Sequence, residues 1–208
     1  MCSSDLQGLN TGGMGAYSPA PIYTAQMHEY VVQNILQPTI EAMAAEGRPF
    51  SGVLYAGLML TADGPKVLEY NARFGDPETQ AILPRLQTDL ADIMLSVVEK
   101  RLDQQTVAWS NEACVCVVLA SGGYPESSEK GVPINGLDKA AQKALVFHAG
   151  TAQKEQSIVT NGGRVLGVSA LGTDIASAIE HAYQAVADIQ FMHMQYRTDI
   201  GQKALQQQ

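Results

Sequence analysis

Apolar and polar positions along this chain change period several times, and each change predicts an element. Thr24 stands where a helix cap is expected, and Met27, Val31, Ile35 and Leu36 then mark the apolar side of a helix running to about Ala45. Pro38 inside that helix predicts a kink or split, and Gly47 a C-terminal stop. Residues 52–60 are a mostly apolar run of strand length, whose continuity predicts that both its faces are covered. Asp63-Gly64 is a turn signal and residues 66–73 follow as a second strand, so the two read as an antiparallel hairpin. Asp76 as N-cap, Pro77 at the first helical position and Glu78 in the first turn predict a short helix that Ile82 and Leu83 carry to Pro84. A second helix is expected from Thr88 to about Arg101, with Leu90, Ile93, Met94, Val97 and Val98 on one face.

Residues 103–106 are polar and aperiodic, which places a boundary between a first region, 7–102, and a second, 107–208. In the second region residues 114–120 form a β-branched run. Residues 132–134, 144–148 and 157–159 read as short strands. Asn161-Gly162-Gly163 reads as a hairpin turn into a strand over 164–171. Thr173 or Asp174 can cap a helix to about Ile189, with Ile175, Ile179, Ala182, Tyr183 and Val186 inward. This is an α+β unit of short strands with one long helix. The glutamine-rich end is expected to fray.

Composition narrows the class. With 208 residues, 46% of them hydrophobic and 16% charged, the chain can bury a core. Its net charge of −8 argues against a nucleic-acid surface or an anionic membrane as the main partner. An anionic small substrate remains compatible, because a local arginine, metal ion or ring of N–H groups decides that. Cys2, Cys114 and Cys116 are odd in number, and the last two share a strand face within an apolar run. Buried thiols in a reducing, cytoplasmic setting fit this pattern better than a disulfide framework. No apolar run approaches the ~18 residues of a membrane helix, and no export signal opens the chain.

Two stretches carry candidate chemistry. In the strand over 66–73, alternation puts Glu69, Asn71 and Arg73 on one face and Leu68 and Tyr70 on the other. A carboxylate and an amide oxygen suit a hard divalent cation, which keeps sites for substrate phosphates. The guanidinium adds a charged fork for phosphate or carboxylate. An ordinary solvated strand end followed by a capped helix would look the same. Upstream, four glycines fall within residues 8–15, giving a backbone that can approach a ligand and point N–H groups at it. That stretch is neither a Walker loop nor a dinucleotide fingerprint. A flexible lead-in segment is the plainer alternative. His28, His148, His181 and His193 are scattered and receive no chemical role.

Taken together, these motifs resemble one family. Asn10-Thr11-Gly12-Gly13-Met14-Gly15-Ala16-Tyr17-Ser18-Pro19, Gly52-Val53-Leu54-Tyr55-Ala56-Gly57-Leu58-Met59, residues 66–78, Phe147-His148-Ala149-Gly150-Thr151 and Asn161-Gly162-Gly163-Arg164-Val165 occur in the order of the phosphoribosylamine–glycine ligases. These enzymes, also called glycinamide ribonucleotide synthetases, belong to the ATP-grasp superfamily. The similarity runs from about Gly8 to about Ala204. Leu9 departs from it where the family usually has proline, and residues 1–6 look like a non-native leader.

The resemblance implies an α+β fold. It consists of the C-terminal part of an ATP-grasp core over 7–102, with antiparallel strands and helices, then a small α+β C-terminal domain over 107–208. It implies that the α/β and ATP-lid domains that precede this segment in the family are absent here, so that this chain alone is inactive. It also implies the reaction, a step of de novo purine biosynthesis. ATP phosphorylates the glycine carboxylate to glycyl phosphate, and the amine of 5-phosphoribosylamine displaces phosphate. Glu69 and Asn71 match the ligands of Mg²⁺ or Mn²⁺, and Arg73 the group that steadies the transferred phosphoryl. Asn10, Thr11, Gly12, Gly13, Met14 and Gly15 match a substrate-binding loop, with Asp76 and Glu78 beside the sugar hydroxyls or the amine. Expected partners are glycine, 5-phosphoribosylamine, ATP and the missing domains, with no nucleic acid and no membrane. Another ATP-grasp carboxylate–amine ligase, or a folded module without catalysis, are the competing readings.

Overall fold

The computed structural model describes residues 11–206. The expected leader over 1–6, Asn10 and the last two glutamines lie outside the described residues. In chain order the elements are β1 (Gly15–Ser18), α1 (Ala25–Val31), a π turn (Val32–Leu36), α2 (Gln37–Ala45), β2 (Tyr55–Thr61), β3 (Gly64–Asn71), α3 (Glu78–Ile82) and α4 (Leu90–Val98). They continue with β4 (Ala113–Ala120), α5 (Leu137–Ala141), β5 (Leu145–His148), β6 (Thr151–Lys154), β7 (Ser157–Thr160), β8 (Arg164–Gly172), α6 (Ile175–Val186) and α7 (Gln202–Leu205). The strands pair antiparallel throughout, so the class is α+β. Packing divides the chain into two compact units. One takes the chain up to Ala20, Asp76–Arg85 and everything from Ser110; the other takes Pro21–Gly75 and Leu86–Trp109.

The first unit is built on a four-stranded sheet of order β1-β4-β8-β5. Every residue of β4 is buried, as a continuous apolar run between covered faces should be. Its alternation sorts the side chains. Ala113, Val115, Val117 and Leu119 join the main core with Ile175, Ala178, Ile179, Ala182 and Val186 of α6. On the opposite face Cys116 packs with Ala16 and Ala81, while Val118 and Ala120 pack with Met14. Each fully buried valine or leucine here contributes about 1.5–3 kcal/mol. Cys114 and Cys116 are buried free thiols, as expected, and burial pushes both up to about 12 from the ordinary 9.0. Asp174 caps α6 by accepting from the Ser177 N–H at 2.8 Å, while the Ser177 hydroxyl meets the Asp174 N–H at 3.1 Å. The Ser177 N–H, and with it the Ser177 hydroxyl at 2.9 Å from the same carboxylate oxygen, hold the Asp174 carboxyl below its usual range.

Several sequence expectations are corrected in this unit. Residues 15–18 are a strand, β1, because Gly15–Ser18 adds to the edge of β4. Residues 161–163 do not close a hairpin: β7 pairs with β6, and β8 pairs with β4 and β5. The turn instead carries the chain from a two-stranded ribbon to the sheet. Asn161 N–H donates to Gly150 O at 2.7 Å, and Ser121 N–H donates to Gly163 O at 2.8 Å. Residues 132–134 make one bridge to β7 rather than a strand, since Pro133 has no N–H to extend a ladder. Helix α5 and strand β6 were not foreseen. Asp76 is not an N-cap: Pro77 holds the cap position with no side-chain bond, and the Asp76 carboxylate accepts from Gln80 at 3.0 Å and from Arg164 at 3.2 Å.

In the second unit Thr24 caps α1, its hydroxyl accepting from Met27 N–H at 3.2 Å. The α-helix is divided into α1 and α2 just before Pro38, by the π turn, and does not end there. The chain stays helical through the π turn, and Gln37 N–H donates to Val32 O; the widened turn absorbs the donor that Pro38 lacks. Gly47 ends α2 at φ 74°. The hairpin β2–β3 forms as expected. Its faces are only partly covered: most of β2 is half-buried with no residue fully buried, and Val67, Leu68 and Tyr70 of β3 are exposed. Helix α4 is shorter than expected and is capped by Asp89, whose carboxylate accepts from Ala91 N–H at 2.7 Å. Met94 and Val98 of its apolar face are exposed. The second unit runs on past the polar stretch after α4 to Trp109, and the chain re-enters the first unit at Ser110. The chain returns to pair Trp109 with Leu86, and Gln87 N–H donates to Ala108 O at 3.0 Å. Among the described residues no helix is long and apolar enough to cross a membrane.

Candidate functional site

The predicted residues fall in both units, and each set has its own geometry. In the second unit Glu69 and Asn71 close strand β3 on one face, with Asn71 Nδ2 donating to Glu69 Oε1 at 3.1 Å. A bulge between Gly57 and Leu58 re-registers β2, so that Gly57 stands opposite Glu69 while Leu58 stands opposite Val67. A Cβ on Gly57 would lie 3.2 Å from Glu69 Cγ, so the glycine makes the room in which the carboxylate side chain lies. The glutamate is exposed and the asparagine half-buried. One carboxylate and one amide oxygen side by side are hard oxygen donors of the kind Mg²⁺ accepts, and too few to enclose it. That leaves coordination positions for phosphate and water. Among the described residues no group of three or more His, Cys, Asp or Glu clusters as a metal cage.

Arg73 does not continue this row as a strand residue. β3 ends at Asn71, and Arg73 lies in the bend beyond it, where its Nη1 donates to Phe74 O at 2.9 Å.

In the first unit the glycine loop enters β1 and the chain returns through Asp76 and Pro77 into α3. Gly13 packs directly on Pro77: an added Cβ would approach Pro77 Cδ to 2.4 Å. Gly12 N–H donates to the Tyr124 hydroxyl at 3.0 Å, so that group is already engaged within the protein. Met14 and Gly15 are buried. Arg164, the first residue of β8, reaches both segments. Its Nη1 donates to Gly13 O at 3.1 Å and to Asp76 O at 2.8 Å, and its Nη2 to the Asp76 carboxylate at 3.2 Å. Thr11 and Glu78 are half-buried, and Glu78 sits in the first turn of α3, as expected.

Sequence reasoning missed Tyr124, Arg164 and Gly57 as parts of these sites. Tyr124 and Arg164 each follow a glycine pair, Gly122-Gly123 and Gly162-Gly163. A Cβ on Gly163 would meet the Tyr124 ring at 2.4 Å, so one of those glycines admits the tyrosine. The histidines have local partners: His181 with Leu171 O at 2.8 Å, His148 with Thr151 at 3.0 Å, His193 with Glu129 at 3.0 Å, and His28 edge-on to Tyr23.

Two family models match. The Phosphoribosylglycinamide synthetase, ATP-grasp (A) domain model matches residues 2–79, and the Phosphoribosylglycinamide synthetase, C domain model matches residues 114–203. The chain is similar to phosphoribosylamine–glycine ligase of Synechocystis sp., at 56% identity over 202 residues, 96% of this chain and 48% of that protein. It is similar to the enzyme of the same name from Vibrio vulnificus, at 50% identity over 200 residues, 95% of this chain and 47% of that protein. Among solved structures it is similar to phosphoribosylamine–glycine ligase from Thermotoga maritima, with a TM-score of 0.76 and 35% identity over 93% of this chain and 48% of that one. The chain thus spans about half the length of these relatives.

Proposed function

The chain belongs to the phosphoribosylamine–glycine ligase family, matching its C-terminal portion, and we propose that it forms that portion of an ATP-dependent carbon–nitrogen ligase. The ligase joins glycine to 5-phosphoribosylamine in purine biosynthesis. Its sequence domains divide between 7–102 and 107–208. Its partners are these small molecules, ATP and the further domains of the same enzyme, in a cytoplasmic setting.

The observation that carries this reading is the pairing of Glu69 with Asn71 at the end of β3. A carboxyl group is activated by forming a bond from its oxygen to the γ-phosphorus of ATP as the bond to ADP breaks. The amine then forms the C–N bond, loses its proton, and phosphate leaves. Both steps concentrate negative charge, and positioning and charge stabilisation supply most of the rate. Glu69 and Asn71 would hold a divalent ion, Mg²⁺ or Mn²⁺, which would neutralise phosphate charge. Arg73, at the strand end, brings a permanent cation to the transferred phosphoryl group. The loop over 10–15 is the segment assigned to glycine or the ribose phosphate; the N–H of Gly12 within it is taken by Tyr124. Asp76 and Glu78 face the sugar hydroxyls or the amine.

The test is ADP release that depends on both glycine and phosphoribosylamine. This chain alone should give none. Joined to the upstream half of the Synechocystis relative it should turn over. In that complete ligase Glu69→Gln should lower the rate by about 10²–10³, the scale on which one preorganised charge-stabilising group acts. An unchanged rate with unchanged metal dependence would sink the metal assignment, and robust turnover by the chain alone would sink the need for the other half.

A further inference from the structure

We propose that Arg164 and Tyr124, from the C-terminal region, are positioning residues for the substrate loop, fixing Gly12, Gly13 and the Asp76 turn in the shape that binds the acyl acceptor or donor. The proposal rests on the ligase reading of the loop.

Arg164 enters from a rigid base. It begins β8, opposite Ala120 of β4, and its carbonyl accepts from Gly150 N–H at 2.9 Å. Its guanidinium then bonds three oxygens on two separate segments: Gly13 O, Asp76 O and the Asp76 carboxylate. The Arg164 side chain is 24% exposed, and its bond to Gly13 O is partly buried, while those to Asp76 lie at the surface. Gly12 lies flat against the same group: a Cβ there would come within 3.2 Å of Arg164 Cζ and Nε. Tyr124 secures the other side of Gly12 by accepting its N–H, and its ring packs over Gly163, beside Arg164.

Glycine peptides are the least constrained in the chain, so a Gly-Gly loop does not hold one shape unaided. Here two side chains supply the constraint. In a planar trans peptide the C=O and N–H point in opposite directions. Turning Gly13 C=O toward Arg164 therefore aims the Met14 N–H away from it. The orientation of that peptide is set by a residue some 150 positions downstream. A lysine cannot replace this arrangement, since one ammonium lacks the planar fork that reaches both carbonyls and the carboxylate.

In the complete ligase Arg164→Ala and Arg164→Lys should raise the KM of glycine or of phosphoribosylamine about tenfold or more and leave the KM of ATP within about twofold. Guanidinium ion should partly restore Arg164→Ala but not Arg164→Lys. Tyr124→Phe keeps the ring and removes only the acceptor for Gly12 N–H, and should raise the same KM by a smaller factor. If Arg164→Ala does not fold, Tyr124→Phe decides, together with amide exchange at Gly12 and Gly13. A lower melting temperature with every KM unchanged would overturn the proposal and leave Arg164 a structural strap. Glu69→Gln is the control on the underlying reading. If Glu69→Gln is inactive and the Arg164 variants are kinetically normal, the positioning role fails and the ligase assignment stands. If Glu69→Gln is fully active, only the metal assignment of Glu69 fails; if the complete protein without substitutions releases no glycine-dependent ADP, the ligase assignment itself fails.

Discussion

Gly13 and Pro77 pack so closely that a single methyl on Gly13 would come within 2.4 Å of the proline Cδ. The proline is fully buried, so making room for the methyl displaces packed neighbours. Gly13→Ala should therefore destabilise the chain by about 1–3 kcal/mol, the usual cost of overpacking. Gly12→Ala meets only the ends of two side chains, Tyr124 and Arg164, at 3.1 and 3.2 Å, and should cost less. Urea unfolding of the two variants checks the order, and equal losses would contradict it.

The thiol pair makes alkaline stability predictable. Burial raises Cys114 and Cys116 to about 12 from 9.0, so the folded chain keeps protons that the unfolded chain releases in that window. Their contribution is fully present below about pH 9 and is lost as pH rises toward 12. The urea midpoint should fall from pH 9 upward, and the fall should be shallower in the double variant Cys114→Ala, Cys116→Ala. In the native state at pH 8 both thiols should react slowly with a thiol reagent, and quickly once unfolded. Fast native labelling would contradict the burial.

Residues 108–208 contain β4, β8 and α6, the main core, but not β1 or α3, which cover the other face of β4. They also lose Arg85, whose guanidinium donates to Glu112 O at 2.6 Å and Ser110 O at 3.2 Å. Expressed alone, this segment should fold around α6, melt below the whole chain, and label Cys116 rapidly. A segment as stable and as slow to label as the full chain would show that β1 and α3 add nothing.

Gly57 and Glu69 face each other across the hairpin bulge, at 3.2 Å from a notional Cβ to Glu69 Cγ. Gly57→Ala should push the carboxylate aside by a few tenths of an ångström. In the complete ligase we expect a rate loss of roughly threefold to tenfold, smaller than for Glu69→Gln, because sub-ångström displacement erodes catalytic alignment without removing the charge. Steady-state ADP release at several Mg²⁺ concentrations measures it, and a loss unrelated to Mg²⁺ would count against the metal role.

The features legible in the amino-acid order are those whose causes lie within a few residues. Thr24 and Asp174 cap helices through bonds to residues three positions on, so a local reading finds them. The buried strand β4 was readable because its apolar run needs cover on both faces, whatever supplies it. The Glu69–Asn71 pair was readable because strand alternation alone places i and i+2 together. Distant partners decided the rest. Gly15–Ser18 is a strand only because β4 offers an unpaired edge. Asp76 looked like a cap, yet one of its carboxylate oxygens bonds Arg164, 88 residues away, while the other takes the Gln80 side chain, and neither meets a helix N–H. The turn at 161–163 had hairpin composition, but which strands pair depends on the sheet they meet, and β8 pairs with β4 and β5. Local hydrogen bonding and periodicity are written in neighbouring residues; pairing, cover and long-range bonds exist only once the chain has closed on itself.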